Sequence, residues 1–300
     1  MFQLSYSDHH RVDLPARHRF PMLKYELIRE QLLREGIVSP HQLKKPDLIA
    51  PEMILAVHTT EWWNQVNSSC LTKEQERRLG FPMTRQLLTR SHSSASGTWE
   101  TALNALSDGA AMNLAGGTHH AFADRGEGFC LFNDVAIASR GLLNANLCKR
   151  VLIVDLDVHQ GNGTAHLFQA EDAVFTFSMH GERNYPLRKE HSNLDIALPD
   201  GCLDEMYIDA LSVHLGRVMD SFQPDFVFYI AGSDVLATDR LGRLSLSLDG
   251  CKKRDRHVLN VCFHSGTPLA VVLGGGYSER FHELVRAHVQ TVELLAEYYG

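Results

Sequence analysis

From Val151 onward, short β-branched runs alternate with helical stretches, and each run ends on a polar or glycine-rich turn. The runs are VLIVD, AVFTFS, FVFYIAG and PLAVVLGGG. Such alternation is the signature of a parallel sheet covered by helices on both faces. The expected architecture is therefore α/β, a three-layer αβα sandwich around a mainly parallel sheet. No repeat or Gly/Ser-rich linker divides the chain, so residues 1–300 are expected to form one domain. Helices are expected over Met22–Glu35, ended by Gly36, over Trp99–Leu114, and from about Leu203 to Phe222. The stretch from Asn64 to Ser96 reads as helices and loops without clear limits.

The polar residues that follow these runs constrain function. Asp155 and Asp157 follow VLIV, Ser178 follows VFTF, Asp234 and Asp239 follow FVFYIAG, and Tyr277 follows AVVLGGG. Each set falls at a strand's carboxyl end, where open parallel sheets bind their ligands. In VDLDVHQGNG, Asp155, Asp157 and His159 occupy alternate positions and share a face. An Asp and a His two apart can chelate one divalent cation, and Asp239 could add a third ligand while leaving a position open, as a catalytic zinc requires. Alone, Asp-x-His is more often an N-cap and polar loop; its coupling to the other segments reverses that weighting.

His119 and His120 follow Gly116 and Gly117 in a glycine-loosened loop, where both rings can face one pocket and move a proton near neutral pH. In a chain with 17 histidines, a surface pair is the bland alternative. Gly126 and Gly128 beside Phe129 suggest close backbone approach next to an aromatic wall, or simply a core phenylalanine. Tyr277, on the turn after Gly274, Gly275 and Gly276, can donate a hydrogen bond to a developing oxyanion. Neither GGGYS nor GNGTAH has the spaced glycines of a dinucleotide site or the lysine of a P-loop.

A formal charge of −7 gives no basic field for nucleic acid. Six cysteines without a CxxC pair suit reduced thiols. No apolar run is long enough for a membrane span or an export signal, so a cytoplasmic location is expected.

Together these segments resemble the histone deacetylase family, including its bacterial deacylases and acetylpolyamine hydrolases. The resemblance runs from HRFPM through His58, Thr59 and Glu61, GGTHH, GFCLFND and VDLDVHQGNG to AGSDVLATDRLG and LGGGYS. The short length and the RHRFPM opening are closer to bacterial members and the small fourth class than to the first-class nuclear enzymes. The resemblance implies hydrolysis of an Nε-acyl-lysine, in peptides or proteins, or of a small acylated amine. It implies zinc on Asp157, His159 and Asp239, with Tyr277 polarising the carbonyl and His119 and His120 handling the proton. The first histidine pairs with Asp155 and the second with Asn162, where first-class members carry Asp. A neutral amide supports an imidazolium less well, so His120 is expected to be the less basic ring.

The same resemblance implies a potassium ion behind the zinc, bound by Asp155, the main chain near Asp157 and His159, and Ser178. Gly128, Phe129, Tyr185 and Gly275 are expected to contact the acyl-lysine, Phe129 and Tyr185 as opposite walls, while Arg19 lines an inner acetate channel. No counterpart of the rim aspartate that grips a substrate backbone is evident, nor the extra loop that supports dimers in the polyamine hydrolases, which favours a monomer. Acetylpolyamine deacetylation is the alternative within the enzyme class. A non-catalytic acyl-lysine reader is the alternative outside it, and a two-metal ureohydrolase would need more carboxylates.

Overall fold

A computed structural model of the chain describes residues 2–15 and 17–300. Its strands are β1 (Leu4–Ser5), β2 (Leu43–Lys44), β3 (Ala110–Asn113), β4 (Val151–Asp155), β5 (Val174–Gly181), β6 (Leu194–Leu198), β7 (Phe226–Ile230) and β8 (Leu269–Val272). All pair in parallel in one sheet of order β2-β1-β3-β8-β7-β4-β5-β6. The helices are α1 (Lys24–Arg34), α2 (Pro51–Leu55), α3 (Thr60–Asn67), α4 (Lys73–Leu79), α5 (Arg85–Asp108), α6 (Asp134–Asn144), α7 (Asn162–Phe168), α8 (Asp204–Phe222), α9 (Leu248–Ser265) and α10 (Phe281–Tyr299).

Side-chain alternation along the central strands makes the three layers. On β4, Leu152 and Val154 pack with buried residues of α1, α8, α9 and α10. Val151 and Ile153, on the opposite face, pack with α5, α6 and α7. Both faces are thus apolar, which is why β4, β7 and β8 are buried along their whole length. A third cluster, built around Trp62, Leu79, Phe81 and Phe132, holds α2 to α4 beside the sheet. None of the described helices is long and apolar enough to cross a membrane, and the six cysteines are free.

The helix expected over Trp99–Leu114 is displaced. It begins at Arg85 and ends at Asp108, where Gly109 at φ 84° breaks it. Ala110–Asn113 then forms β3, buried between β1 and β8.

From β4 the chain builds outward through β5 to β6, then returns to place β7 on the other flank of β4. This reversal opens a crevice at the carboxyl ends of β4 and β7, the place where doubly wound sheets hold ligands.

Candidate active site

Five adjacent strands deliver the site. His119 and His120 lie on the loop after β3, Gly275 and Tyr277 after β8, and Asp234 and Asp239 after β7. Asp155 ends β4 with Asp157 and His159 just beyond it, and Ser178 lies in β5. Because the sheet is wholly parallel, these loops share one edge. Asp155 and Ser178 are register partners across β4 and β5, and both are buried. The Ser178 hydroxyl is 2.9 Å from Nδ1 of His180.

At the centre, Oδ1 of Asp157 lies 2.9 Å from Nδ1 of His159, and its Oδ2 accepts the Gly275 N–H at 2.6 Å. Asp234 Oδ1 accepts the Val158 N–H, and its Oδ2 lies 3.2 Å from His159 Nδ1. That Oδ2 is buried and has no hydrogen-bond partner among the described residues. The donor atoms of Asp157, His159 and Asp234 lie within 4.8 Å of one another, which makes them a candidate metal group. Asp239 is not part of that group. Its Oδ1 accepts the N–H groups of Leu241 and Gly242, and its Oδ2 accepts the Tyr277 N–H at 2.6 Å. Only Oδ2, with a single donor, keeps a lone pair.

Burial and the Asp157 charge raise the Asp234 carboxyl to about 7. Burial disfavours charge on His159, but the hydrogen bond to Asp157 and the nearby Asp234 outweigh it and raise the ring to about 10. No Lys or Arg is paired with these carboxylates among the described residues. Buried carboxylates with an orphaned oxygen and one imidazole make a poor structural cluster but a good divalent-cation cradle. The residues present therefore fit a metal.

The histidine pair is held by opposite chemistry. His119 Nδ1 lies 2.7 Å from Asp155 Oδ2, and His120 Nδ1 lies 2.7 Å from Asn162 Oδ1. Burial disfavours charge on His119, but Asp155 and Asp157 overcome it and raise the ring to about 9. Burial, with the charges of His119 and His159, pushes His120 well below its ordinary value. His120 is thus the less basic ring; burial and the neighbouring imidazoles set this, while the Asn162 hydrogen bond acts the other way. Asn162 in turn donates from Nδ2 to Glu127 at 2.6 Å, and the Tyr185 hydroxyl donates to the same carboxylate oxygen at 2.8 Å. The loop bearing the pair is tied to Asp134, which accepts from the N–H groups of Gly117 and Thr118 and from the hydroxyls of Thr98 and Thr118. A side chain at Gly128 would meet the His120 ring at 2.5–2.9 Å, and its φ of 56° also favours glycine.

Comparison with known proteins adds a second kind of observation. The histone deacetylase domain model matches residues 18–292. The chain belongs to the histone deacetylase family. It is 43% identical over 287 residues to an uncharacterised protein of Picosynechococcus sp., covering 96% of each. It is 28% identical to histone deacetylase 2 of Arabidopsis thaliana, over 92% of this chain and 73% of that protein. The crystal structure of the HDA15 HD domain shares the fold, with a TM-score of 0.84 at 22% identity over 99% of this chain and 88% of that one. This histone deacetylase family member is a hydrolase by that membership.

Above the acidic centre, Gly128, Phe129, Tyr185 and Tyr277 line a recess of about 670 Å³ that also reaches His120 and His159. Phe129 and Tyr185 both border it. Phe129 packs on Phe20, Phe81 and Tyr277, and the Tyr185 ring meets His120 edge-on at 4.9 Å. One expectation changes. Arg19 is exposed and lines the outer recess, whereas the inner cavity of about 60 Å³ has the buried Arg90 on its wall. Arg19 precedes α1 by several residues, and the chain there runs along the surface. Gly275 lines the inner cavity, and its N–H donates to Asp157.

Further residues of this family member's site carry little local sequence signal. Asp234, five residues before Asp239 on the loop after β7, joins the metal group. Asp134 ends the GFCLFND motif and Glu127 directly precedes it, yet their partners are 16 and 35 residues away. Lys24, buried on α1, donates to the Gly274 carbonyl at 3.2 Å beneath the Tyr277 turn. Arg254, buried on α9, donates to the carbonyls of Leu156 and Gly232 beside the metal group. Only a buried charge within a helical pattern could have signalled the last two.

Proposed function

We propose that the protein hydrolyses the amide of an Nε-acyl-lysine to free amine and carboxylate, using zinc held by Asp157, His159 and an aspartate of the loop after β7. The observation that carries this reading is the pair of oppositely supported histidines beside a buried carboxylate cradle, with Tyr277 across the recess. Ring centroids are 5.9 Å apart for His120 and His159 and 6.2 Å apart for His159 and Tyr277. Bound zinc supplies Lewis acidity towards the acyl carbonyl and the attacking water.

The chain's own groups do the rest. His120, neutral and with Nδ1 turned to Asn162, presents Nε2 to accept the water's proton and later deliver it to the leaving amine. His119, kept protonated by Asp155, places positive charge beside the developing oxyanion. The Tyr277 hydroxyl donates a hydrogen bond to that oxyanion, and Phe129 and Tyr185 flank the aliphatic stem. Potassium, by the same resemblance, would rest behind on Asp155, Ser178 and nearby carbonyls; the register of Asp155 against Ser178 supports this.

The third zinc ligand comes from the loop after β7. The family motif favours Asp239; the donor geometry favours Asp234. Zinc analysis of Asp239→Asn and Asp234→Asn decides between them, because only loss of the true ligand should empty the site. The reading as a whole is tested with one lysine peptide bearing acetyl, butyryl, octanoyl or myristoyl groups. Turnover that a chelator abolishes and zinc restores is expected; no turnover by the zinc-loaded protein would overturn it.

A further inference from the structure

The recess over Tyr277 is rimmed by Arg17, Arg19, Arg77, Arg78, Arg183 and Arg243, and among the described residues no Asp or Glu side chain lines it. These arginines come from the segment before α1, the last turn of α4, and the loops after β5 and β7. All six are exposed. Two carboxylates lie among them: Glu74 at 3.3 Å from Arg78, and Asp200 at 3.2 Å from Arg243 and 3.9 Å from Arg183. Two carboxylates offset two of the six charges, and Arg17, Arg19 and Arg77 form no ion pair among the described residues. The chain as a whole carries −7, so this excess of positive charge is a property of the mouth and not of the composition.

Resting on the deacylase reading above, we infer that the acylated amine taken by this site is anionic, carrying carboxylate or phosphate groups close to the acylated nitrogen. Guanidinium groups that repel one another in the free protein gain from an anion placed among them, and each can grip a carboxylate or phosphate through two parallel hydrogen bonds. The same field raises the local concentration of anions and repels cations. A polyamine, or a lysine-rich tail around the acylated residue, would enter against it. Nothing at the rim offers such cations a compensating carboxylate, since Glu74 and Asp200 already face arginines.

The test compares kcat/KM on acetyl-lysine peptides that differ only in flanking residues, Glu, Gln or Lys, at low and high salt. The Glu-flanked peptide should exceed the Lys-flanked one by roughly tenfold or more at low salt, with the gap shrinking as salt screens it. Reversing two rim charges, Arg77→Glu with Arg183→Glu, should collapse that ratio while zinc content and melting temperature hold. An Nε-acetyl-lysine with a free carboxylate separates the two sources of such substrates: a rate above the acidic peptide's indicates a small acid, and a lower rate indicates an acidic sequence. Equal rates on all peptides, a preference for Lys, or a ratio indifferent to charge reversal overturns the inference and leaves the deacylase reading standing. No turnover on any of them removes both.

Discussion

The Asn162 amide oxygen lies 2.7 Å from Nδ1 of His120, and the orientation of that amide is set from behind by Glu127. Glu127 as a carboxylate can only accept, so Asn162 must turn its NH2 towards it and its oxygen towards the ring. The ring then donates from Nδ1, and the lone pair is left on Nε2. Glu127→Gln removes this constraint, because either end of the new amide can face Asn162. A fall in kcat of roughly tenfold is expected, within the usual contribution of a positioned base, with zinc content unchanged. Asn162→Asp alone sets a second carboxylate against Glu127, and the two would share a proton. The double variant, Asn162→Asp with Glu127→Gln, should therefore displace the pH profile of kcat/KM to higher pH; an unmoved profile would show that this pairing does not govern His120.

Tyr277→Phe should lower kcat by on the order of a hundredfold, near 3 kcal/mol, with little change in KM. The backbone N–H that binds Asp239 is unaffected, so zinc should remain. Preserved turnover would refute the oxyanion role, and a non-catalytic reader would show no turnover in either form.

His58 is buried, and its Nε2 accepts the Asn133 N–H at 3.0 Å, which only an unprotonated nitrogen can do. Burial lowers the ring to about 4 from 6.5. In the unfolded chain it takes up its proton near 6.5, so its share of stability is complete above that pH and is lost as pH falls from about 6.5 to 4. The total is about 3 kcal/mol, at 1.36 kcal/mol per unit. His58→Gln can still accept the N–H but cannot titrate; urea midpoints measured across this window should fall less steeply for the variant.

Arg254 is buried, bonded to Asp255 at 2.7–2.8 Å and to the carbonyls of Leu156 and Gly232. Arg254→Met keeps the bulk but leaves Asp255 an uncompensated buried charge, for which a loss of about 3–5 kcal/mol is expected. Since the freed carbonyls flank Asp157 and Asp234, zinc affinity should fall as well. A denaturation midpoint equal to that of the parent protein would contradict this placement.

What the sequence disclosed follows from how each element is encoded. β4, β7 and β8 are covered on both faces and so are written as unbroken apolar runs. β3 is just as buried, but AAMN is short and continues the apolar spacing of the helix before it, so its period is indistinguishable until Gly109 breaks the chain. β6 reads LDIAL because it is a half-exposed edge strand. In the site, the chemistry lies on compact motifs that can be read locally. Its supports do not: Lys24 bonds Gly274 across 250 residues and Arg254 bonds Leu156 across 98.

The turn from Gly274 to Tyr277 binds Asp157 through the Gly275 N–H and Asp239 through the Tyr277 N–H. The phenol donor and the acidic cradle are therefore mechanically one part. A shift of either carboxylate is therefore passed to the turn through those two amide hydrogen bonds. Hydrogen exchange at the Gly275 and Tyr277 amides should slow together on adding zinc, so the tyrosine's readiness reports on the state of a cradle that its own ring does not join.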